Sequence, residues 1–190
     1  MTLSTIRETE SREPHASDRD KTLVVGLGNP ILGDDGVGWR VAEEVLCRLE
    51  SPDHKSDRLD VVVERLSVGG LGLMERMVGF GKAIVIDSIT TREGTPGDLS
   101  CFPLSALPDH SAGHTTSAHD TSLQNALKVA QEMGFNIPEE VWIVAIEARQ
   151  TLDFSERLTA PVETTVPCAA DTVLELLLNE AGEADDHDLT

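Results

Sequence analysis

Short apolar runs alternate along the middle of this chain with longer stretches whose apolar residues recur at helical spacing. The clearest run is 82–89 (KAIVIDSI), which is apolar on both faces, as is typical of a strand buried between two layers. From Val37 onward, apolar residues recur every fourth position at Val41 and Val45, which predicts an amphipathic helix. This alternation predicts an α/β three-layer sandwich, in which a twisted, largely parallel sheet of about five strands carries helices on both faces.

The same patterns predict the individual elements. The predicted strands are 22–26, 60–66, 82–89, 98–102 and 140–148. The predicted helices start at Val37, Gly70, His119 and Val162. We expect two of the helices to bury a stripe of apolar residues: Leu71, Met74 and Val78 in the second, and Leu123, Ala126, Leu127 and Ala130 in the third.

Charge and hydropathy exclude some classes of partner. The chain has 190 residues and a formal net charge of −19, from 34 acidic and 15 basic residues. Such a surface repels phosphate backbones, so we expect no nucleic-acid partner. No apolar stretch approaches the ~20 residues of a membrane span, and the N-terminus is polar, unlike a signal peptide. The sequence therefore predicts a cytoplasmic protein with no membrane partner.

Composition also predicts the organisation of the chain. Residues 1–21 are polar and lack periodicity, which is typical of a disordered leader, and residues 181–190 form an acidic tail. We expect a single α/β domain over residues 22–180. The cysteines Cys47, Cys101 and Cys168 have no C-x-x-C spacing, so neither a disulfide framework nor a zinc knuckle is indicated. We expect them to be small buried apolar residues rather than nucleophiles.

The segment 23–40 (LVVGLGNPILGDDGVGWR) carries most of the functional information. A buried strand ends at a Gly-x-Gly turn, and a short loop then presents Asp34 and Asp35 at the start of a helix. Carboxylates in that position either cap helix amides or hold a metal. For Asp34 we favour helix capping. The turn is not a dinucleotide fingerprint, because Ile31 occupies the position of its third glycine.

Two other polar residues fall where sites occur in such sheets, beyond the carboxyl ends of the strands. Asp87 ends the strand KAIVID, and His119 opens the third helix after a His- and Ser-rich loop. Together with Asp35 they offer two carboxylates and an imidazole, which suit zinc or nickel and leave positions open for water or substrate. The alternatives are structural: Asp87 caps the following turn, and His119 is a surface residue at a helix start. We interpret His110 and His114 as loop residues.

At these residues the chain resembles a known family. The stretch 26–46 (GLGNPILGDDGVGWRVAEEVL) is similar to the opening motif of the hydrogenase maturation proteases. The resemblance continues in order through 84–89 (IVIDSI), 95–98 (TPGD), 117–123 (SAHDTSL) and 158–163 (LTAPVE). It spans about residues 23–178 and leaves out both polar ends. One segment departs from the pattern: many members have Gly-Thr-x-Gly where this chain has Ser-Val-Gly-Gly at 67–70.

The resemblance implies an endopeptidase that removes a C-terminal extension from the large-subunit precursor of a nickel-iron hydrogenase after nickel insertion. It places Asp35, Asp87 and His119 in the three metal-binding positions, which also serve catalysis. Nickel would arrive with the precursor rather than reside in the enzyme, and zinc or cadmium are also compatible with the site.

Three alternatives accompany this interpretation. The segment GLGNP also opens the peptidyl-tRNA hydrolases, but their catalytic histidine is missing from the following loop, and the charge of −19 does not suit tRNA. A non-enzymatic nickel-binding scaffold for hydrogenase assembly is compatible with the same residues. The fold could also serve a different peptidase substrate.

Overall fold

The computed structural model describes residues 21–51, 60–106, 118–149 and 154–178. Its strands are β1 (Thr22–Leu27), β2 (Val61–Leu66), β3 (Lys82–Ile89), β4 (Leu99–Pro103) and β5 (Glu140–Glu147). Its helices are α1 (Val37–Leu49), α2 (Gly70–Met77), α3 (Ala118–Glu132) and α4 (Ala160–Leu178). The predicted polar tail and nearly all of the predicted leader lie outside the described residues, and the extent of the single domain stays a prediction.

The five strands form one sheet in the order β2-β1-β3-β5-β4. Strands β2, β1, β3 and β5 run parallel, and β4 pairs antiparallel with β5 at one edge. Helices α1 and α4 pack together on one face, and α2 and α3 on the other, so the predicted α/β three-layer fold is confirmed. No helix in the described ranges is both long and apolar enough to cross a membrane.

The strand order reverses between β1 and β3. The chain leaves β1 toward β2 on one side and returns to β3 on the other side of β1. In open α/β sheets, the crevice beyond the carboxyl ends of the two strands at such a reversal is where ligands bind. In the middle of the sheet, β1 is buried along its whole length and β3 is buried as far as Asp87.

Side-chain alternation along the central strands determines which helices each residue faces. Val25 and Val85 belong to the core cluster formed with α2 and α3. Val24 and Ile86 belong to the cluster formed with α1 and α4. By this alternation, Asp87 lies on the side of the sheet that α2 and α3 cover.

The predicted buried face of α2 is correct at Met74 and Val78 and wrong at Leu71, and the helix is found where expected. Leu73, Met74 and Met77 are buried, Val78 is half-buried against the same core just after the helix ends, and Leu71 is exposed. Leu71 and Leu73 each belong to a set of residues that fits helical spacing. Packing against α3, which is a tertiary contact, buries Leu73 and leaves Leu71 exposed. In α3 itself, the predicted stripe is buried as expected.

The expectation of buried cysteines is also wrong. Cys47, Cys101 and Cys168 are all exposed and carry free thiols. The first and third lie on α1 and α4 outside the buried stripes, and Cys101 lies on the edge strand β4, which pairs on one side with β5. Their positions give no support to a thiol nucleophile at the carboxyl edge of the sheet.

We expect Cys101 to react slowly with alkylating agents at neutral pH. Partial burial raises the pKa of its thiol above the usual value, and only the thiolate is nucleophilic. In a variant that carries Cys47→Ser and Cys168→Ser, the rate of iodoacetamide labelling should therefore reach its plateau at a higher pH in the folded protein than in urea. Coincident pH profiles in the two states would contradict this expectation.

Candidate functional site

The connection from β1 to α1 is packed so closely that two glycines are required. Gly28 has a φ of +119°, and a Cβ there would overlap the carbonyl oxygen of Asp35. A Cβ on Gly38 would overlap the carbonyl oxygens of Leu27, the last residue of β1, and of Ile86, which lies beside that strand end in β3. The start of α1 therefore lies directly on these two strand ends, and the preceding turn holds Asp35 at the crevice.

Asp35 is half-buried and has one fixed carboxylate oxygen. Its Oδ2 accepts a hydrogen bond of 2.7 Å from the backbone N–H of Asn29. Its Oδ1 lies 3.5 Å from the hydroxyl of Ser88, at the end of β3. It makes no side-chain cap to α1. The carboxylate is thus oriented by the β1 loop and directed toward β3.

Asp87 is 1% exposed and lies one residue before Ser88. Its Oδ1 accepts a hydrogen bond of 2.8 Å from the Ser88 backbone N–H, which supports the predicted capping role at this strand end. Ser88 therefore contacts both predicted carboxylates, one through its backbone and the other through its hydroxyl. Sequence reasoning gave Ser88 no role, and its position next to Asp87 was the only available signal.

His119 lies in the first turn of α3, and its side chain lies outside the described part of the structure. The backbone N–H of Gly79, just before β3 begins, donates to the carbonyl of Asn136, just after α3 ends. Helix α3 therefore runs antiparallel to β3, which places its first turn at the carboxyl edge. It also covers the face on which Asp87 lies. Among the described side chains, no three His, Cys, Asp or Glu residues are grouped to hold a metal. His110 and His114 lie outside the described residues.

Asp34 caps a helix, but it is α4 rather than the helix that follows it. Its side chain is 2% exposed. Its Oδ1 accepts a 2.6 Å hydrogen bond from the backbone N–H of Thr159, and its Oδ2 accepts a 2.8 Å bond from the Thr159 hydroxyl. Thr159 directly precedes Ala160, where α4 begins. Asp34 thus fastens the start of α4 to the site loop, a long-range pairing that sequence spacing does not show.

Removal of the Asp34 carboxylate should destabilise the fold. Asp34→Ala leaves both Thr159 donors without their acceptor, so we expect a loss of about 2–4 kcal/mol in the free energy of unfolding. Urea denaturation measures it, and Thr159→Val supplies a double-mutant cycle. Additive effects of the two substitutions would contradict a direct coupling between these residues.

The turn after β2 is tied to the same loop. The hydroxyl of Ser67 donates to the carbonyl of Gly28 at 2.7 Å, and Gly70 starts α2 with a φ of +53°. The indole N–H of Trp39 on α1 donates to the carbonyl of Leu66 at 3.1 Å. In this chain the backbone turn at 67–70 is therefore present, and its hydroxyl supports the β1 loop.

Sequence comparison identifies the family. The sequence model of the hydrogenase maturation proteases (HycI) matches residues 57–176, a range that includes Asp87 and His119. The chain belongs to the hydrogenase maturation protease family. It is accordingly an enzyme of the peptidase class, as the sequence predicted. The matched range begins after Asp35, and the metal-binding roles of Asp35, Asp87 and His119 stay predictions.

Individual relatives of this maturation protease cover most of its length. The hydrogenase expression/formation protein HupD of Rhizobium leguminosarum bv. viciae is 29% identical over 159 residues, covering 83% of this chain and 74% of that protein. The hydrogenase maturating endopeptidase HybD from Escherichia coli superposes with a TM-score of 0.66 at 27% identity, over 85% and 94% of the two chains. A hydrogenase 2 maturation peptidase from a Thaumarchaeota archaeon gives a TM-score of 0.57 at 30% identity, over 83% and 97%.

Proposed function

We propose that this maturation protease removes a C-terminal extension from a nickel-iron hydrogenase large-subunit precursor once nickel has been inserted. In this proposal Asp35, Asp87 and His119 engage the nickel that the precursor carries. The observation that supports the proposal is that Asp35 and Asp87 both contact Ser88, one through its hydroxyl and the other through its backbone N–H, at the carboxyl end of β3.

The donor set suits a borderline divalent cation. Two carboxylates and an imidazole leave coordination positions for ligands that the precursor itself supplies. In Asp35, the Asn29 backbone N–H holds Oδ2. The other oxygen, Oδ1, lies toward Ser88 in β3. The first turn of α3, which contains His119, lies on the same side of the sheet as Asp87. Zinc or cadmium would suit the same donors.

Engagement of the metal would position the peptide bond to be cut. A precursor held at the crevice through its nickel presents the adjacent chain to the two carboxylates, which converts a bimolecular encounter into an oriented one. The substrate metal would polarise a water or the scissile carbonyl. A carboxylate of the site then takes the proton of the attacking water and returns it to the leaving amine.

The orientation of Asp35 suits it to this proton transfer. Its backbone hydrogen bond from Asn29 fixes one oxygen, so the other oxygen needs little reorganisation to accept a proton. Asp87, which is almost fully buried, is better placed to bind than to exchange protons with solvent. The proposal therefore assigns proton transfer to Asp35 and metal engagement to all three residues.

Incubation with a nickel-loaded precursor tests this function. We expect the precursor to lose a C-terminal peptide, seen by intact mass, while a precursor already lacking its extension stays unchanged. Formation of a stable complex with no loss of mass would contradict the protease function and favour the assembly-scaffold alternative. Cleavage of the extension-free control would instead indicate a general peptidase.

A further inference from the structure

The loop between β3 and β4 is clamped to the end of β5 by a buried carboxylate. Glu147, at the end of β5, is 5% exposed. Its Oε1 accepts a 2.6 Å hydrogen bond from the backbone N–H of Thr91, and its Oε2 accepts a 3.0 Å bond from the Thr91 hydroxyl. Gly94 packs so closely that a Cβ there would overlap this carboxylate. The loop is therefore held in one position beside the site.

The clamp joins the two loop segments that contain Arg92 and Arg149, at the carboxyl edge of the sheet. The Thr90 hydroxyl donates to the Ala148 carbonyl at 2.9 Å, next to the contact made by Thr91. Arg92 directly follows Thr91 in one of the two joined segments, and Arg149 directly follows Ala148 in the other. Both arginines are exposed. They lie just beyond the ends of β3 and β5, next to the strand end that carries Asp87.

These arginines lack the carboxylate partners that other arginines have. Four described arginines form ion pairs with Asp or Glu: Arg40, Arg48, Arg65 and Arg76. Arg92, Arg149 and Arg157 form none with any described residue, although the chain has a net charge of −19. All three lie in loops that follow strands at the carboxyl edge.

Arg157 differs from the other two in its surroundings. It lines a cavity of about 740 Å³ between α1 and α4, together with Glu43, Glu156 and Glu163. Arg92 and Arg149 follow β3 and β5. Two acidic residues are close to them in the chain: Glu147, whose carboxylate accepts the hydrogen bonds from Thr91, and Glu93, which is exposed and forms no ion pair within the described ranges. Arg92 and Arg149 are thus two exposed arginines, without an ion pair to any described residue, in the loops that follow β3 and β5.

We propose that Arg92 and Arg149 bind a carboxylate of the precursor segment that lies beyond the cut bond. This inference rests on the proposed function. A guanidinium presents a planar set of N–H donors that matches a carboxylate in two-point contact. A C-terminal extension always supplies one carboxylate at its end, and acidic side chains are the other source. Because Glu147 holds the loop in place, the loop loses little conformational entropy when the segment binds.

Arginine substitution tests this contact through KM. With nickel-loaded precursor, we expect the Arg92→Gln/Arg149→Gln double variant to raise KM about tenfold and to leave kcat within about twofold. Arg157→Gln is the matched control and should keep the KM of the unchanged enzyme. The double Arg→Lys variant retains the charge and should raise KM less. Because these residues are exposed and unpaired, thermal unfolding should be unaffected in every variant.

Two altered precursors identify the carboxylate. One has the acidic side chains of its extension changed to amides, and the other has an amidated C-terminus. The precursor that lacks the bound carboxylate should have a raised KM with the unchanged enzyme and no further penalty with the double glutamine variant. If each altered precursor raised KM by the same factor with the unchanged enzyme and with the double glutamine variant, the proposed arginine–carboxylate contact would be wrong.

The outcomes separate the two proposals. If the unchanged enzyme cleaves but the double glutamine variant has the same KM, the arginine proposal is wrong and the proposed function stands. If Arg157→Gln raises KM equally, the effect is general electrostatics and the arginine proposal is also wrong. If the unchanged enzyme binds without cleaving, the proposed function fails and the arginine proposal fails with it.

Discussion

Asp35→Asn and Asp87→Asn are each expected to reduce kcat/KM for nickel-loaded precursor by at least about a hundredfold. An amide is a far poorer metal ligand and proton acceptor than a carboxylate. Its oxygen can still accept the backbone hydrogen bond from Asn29 or from Ser88. The substitutions therefore remove the charge while keeping the shape of each side chain. Intact mass of the precursor over time measures the loss.

Glu75→Gln supplies the control for this experiment. Glu75 is an exposed carboxylate on α2, so its neutralisation changes the net charge equally without touching the crevice. We expect normal cleavage by that variant. His119→Gln should behave like the two aspartate variants. Full-rate cleavage by Asp35→Asn or Asp87→Asn, in a folded protein, would contradict the assigned roles.

Gly28→Ala is expected to destabilise the protein by about 3 kcal/mol or more. The φ of +119° disfavours any residue with a Cβ, and here the added carbon would also overlap the carbonyl oxygen of Asp35. Relief of that overlap requires the β1 loop to move. The variant should therefore lose both stability in urea denaturation and catalytic activity.

Gly79→Ala separates steric overlap from backbone strain. Gly79 also has a positive φ, of +97°, but a Cβ there would meet nothing within 4 Å. Its substitution should cost about 1–2 kcal/mol, from backbone conformation alone, and leave precursor cleavage intact. Equal destabilisation by the two alanine substitutions would contradict the close packing of the β1 loop against Asp35.

The sequence predicts those parts of the fold that local patterns determine. The buried valines of α1 and the strand β3, which is apolar on both faces, are found as predicted. Burial of one face or of both faces produces a characteristic spacing of apolar residues, which the sequence shows. On α2 the prediction was wrong at Leu71, which is exposed while Leu73 is buried, because both positions fit helical spacing and contact with α3 decides between them. The exposure of Cys101 likewise depends on β4 being an edge strand, which is a property of the whole sheet.

The candidate site divides in the same way. Asp35 and Asp87 were predicted as site residues because parallel strands bring their carboxyl ends to one edge, and their metal-binding role stays a prediction. The partners that hold the site are distant in sequence: Thr159 binds Asp34, and Thr91 is bound by Glu147. No spacing rule predicts such hydrogen bonds, since they depend on how loops from different strands meet.

The most direct test of the account compares nickel-loaded and nickel-free precursor in parallel, with the unchanged enzyme and intact mass as the readout. If the site engages substrate nickel through Asp35, Asp87 and His119, only the nickel-loaded precursor should lose its C-terminal peptide. Equal cleavage of both precursors would contradict the central claim, because the enzyme would then recognise the peptide without the metal.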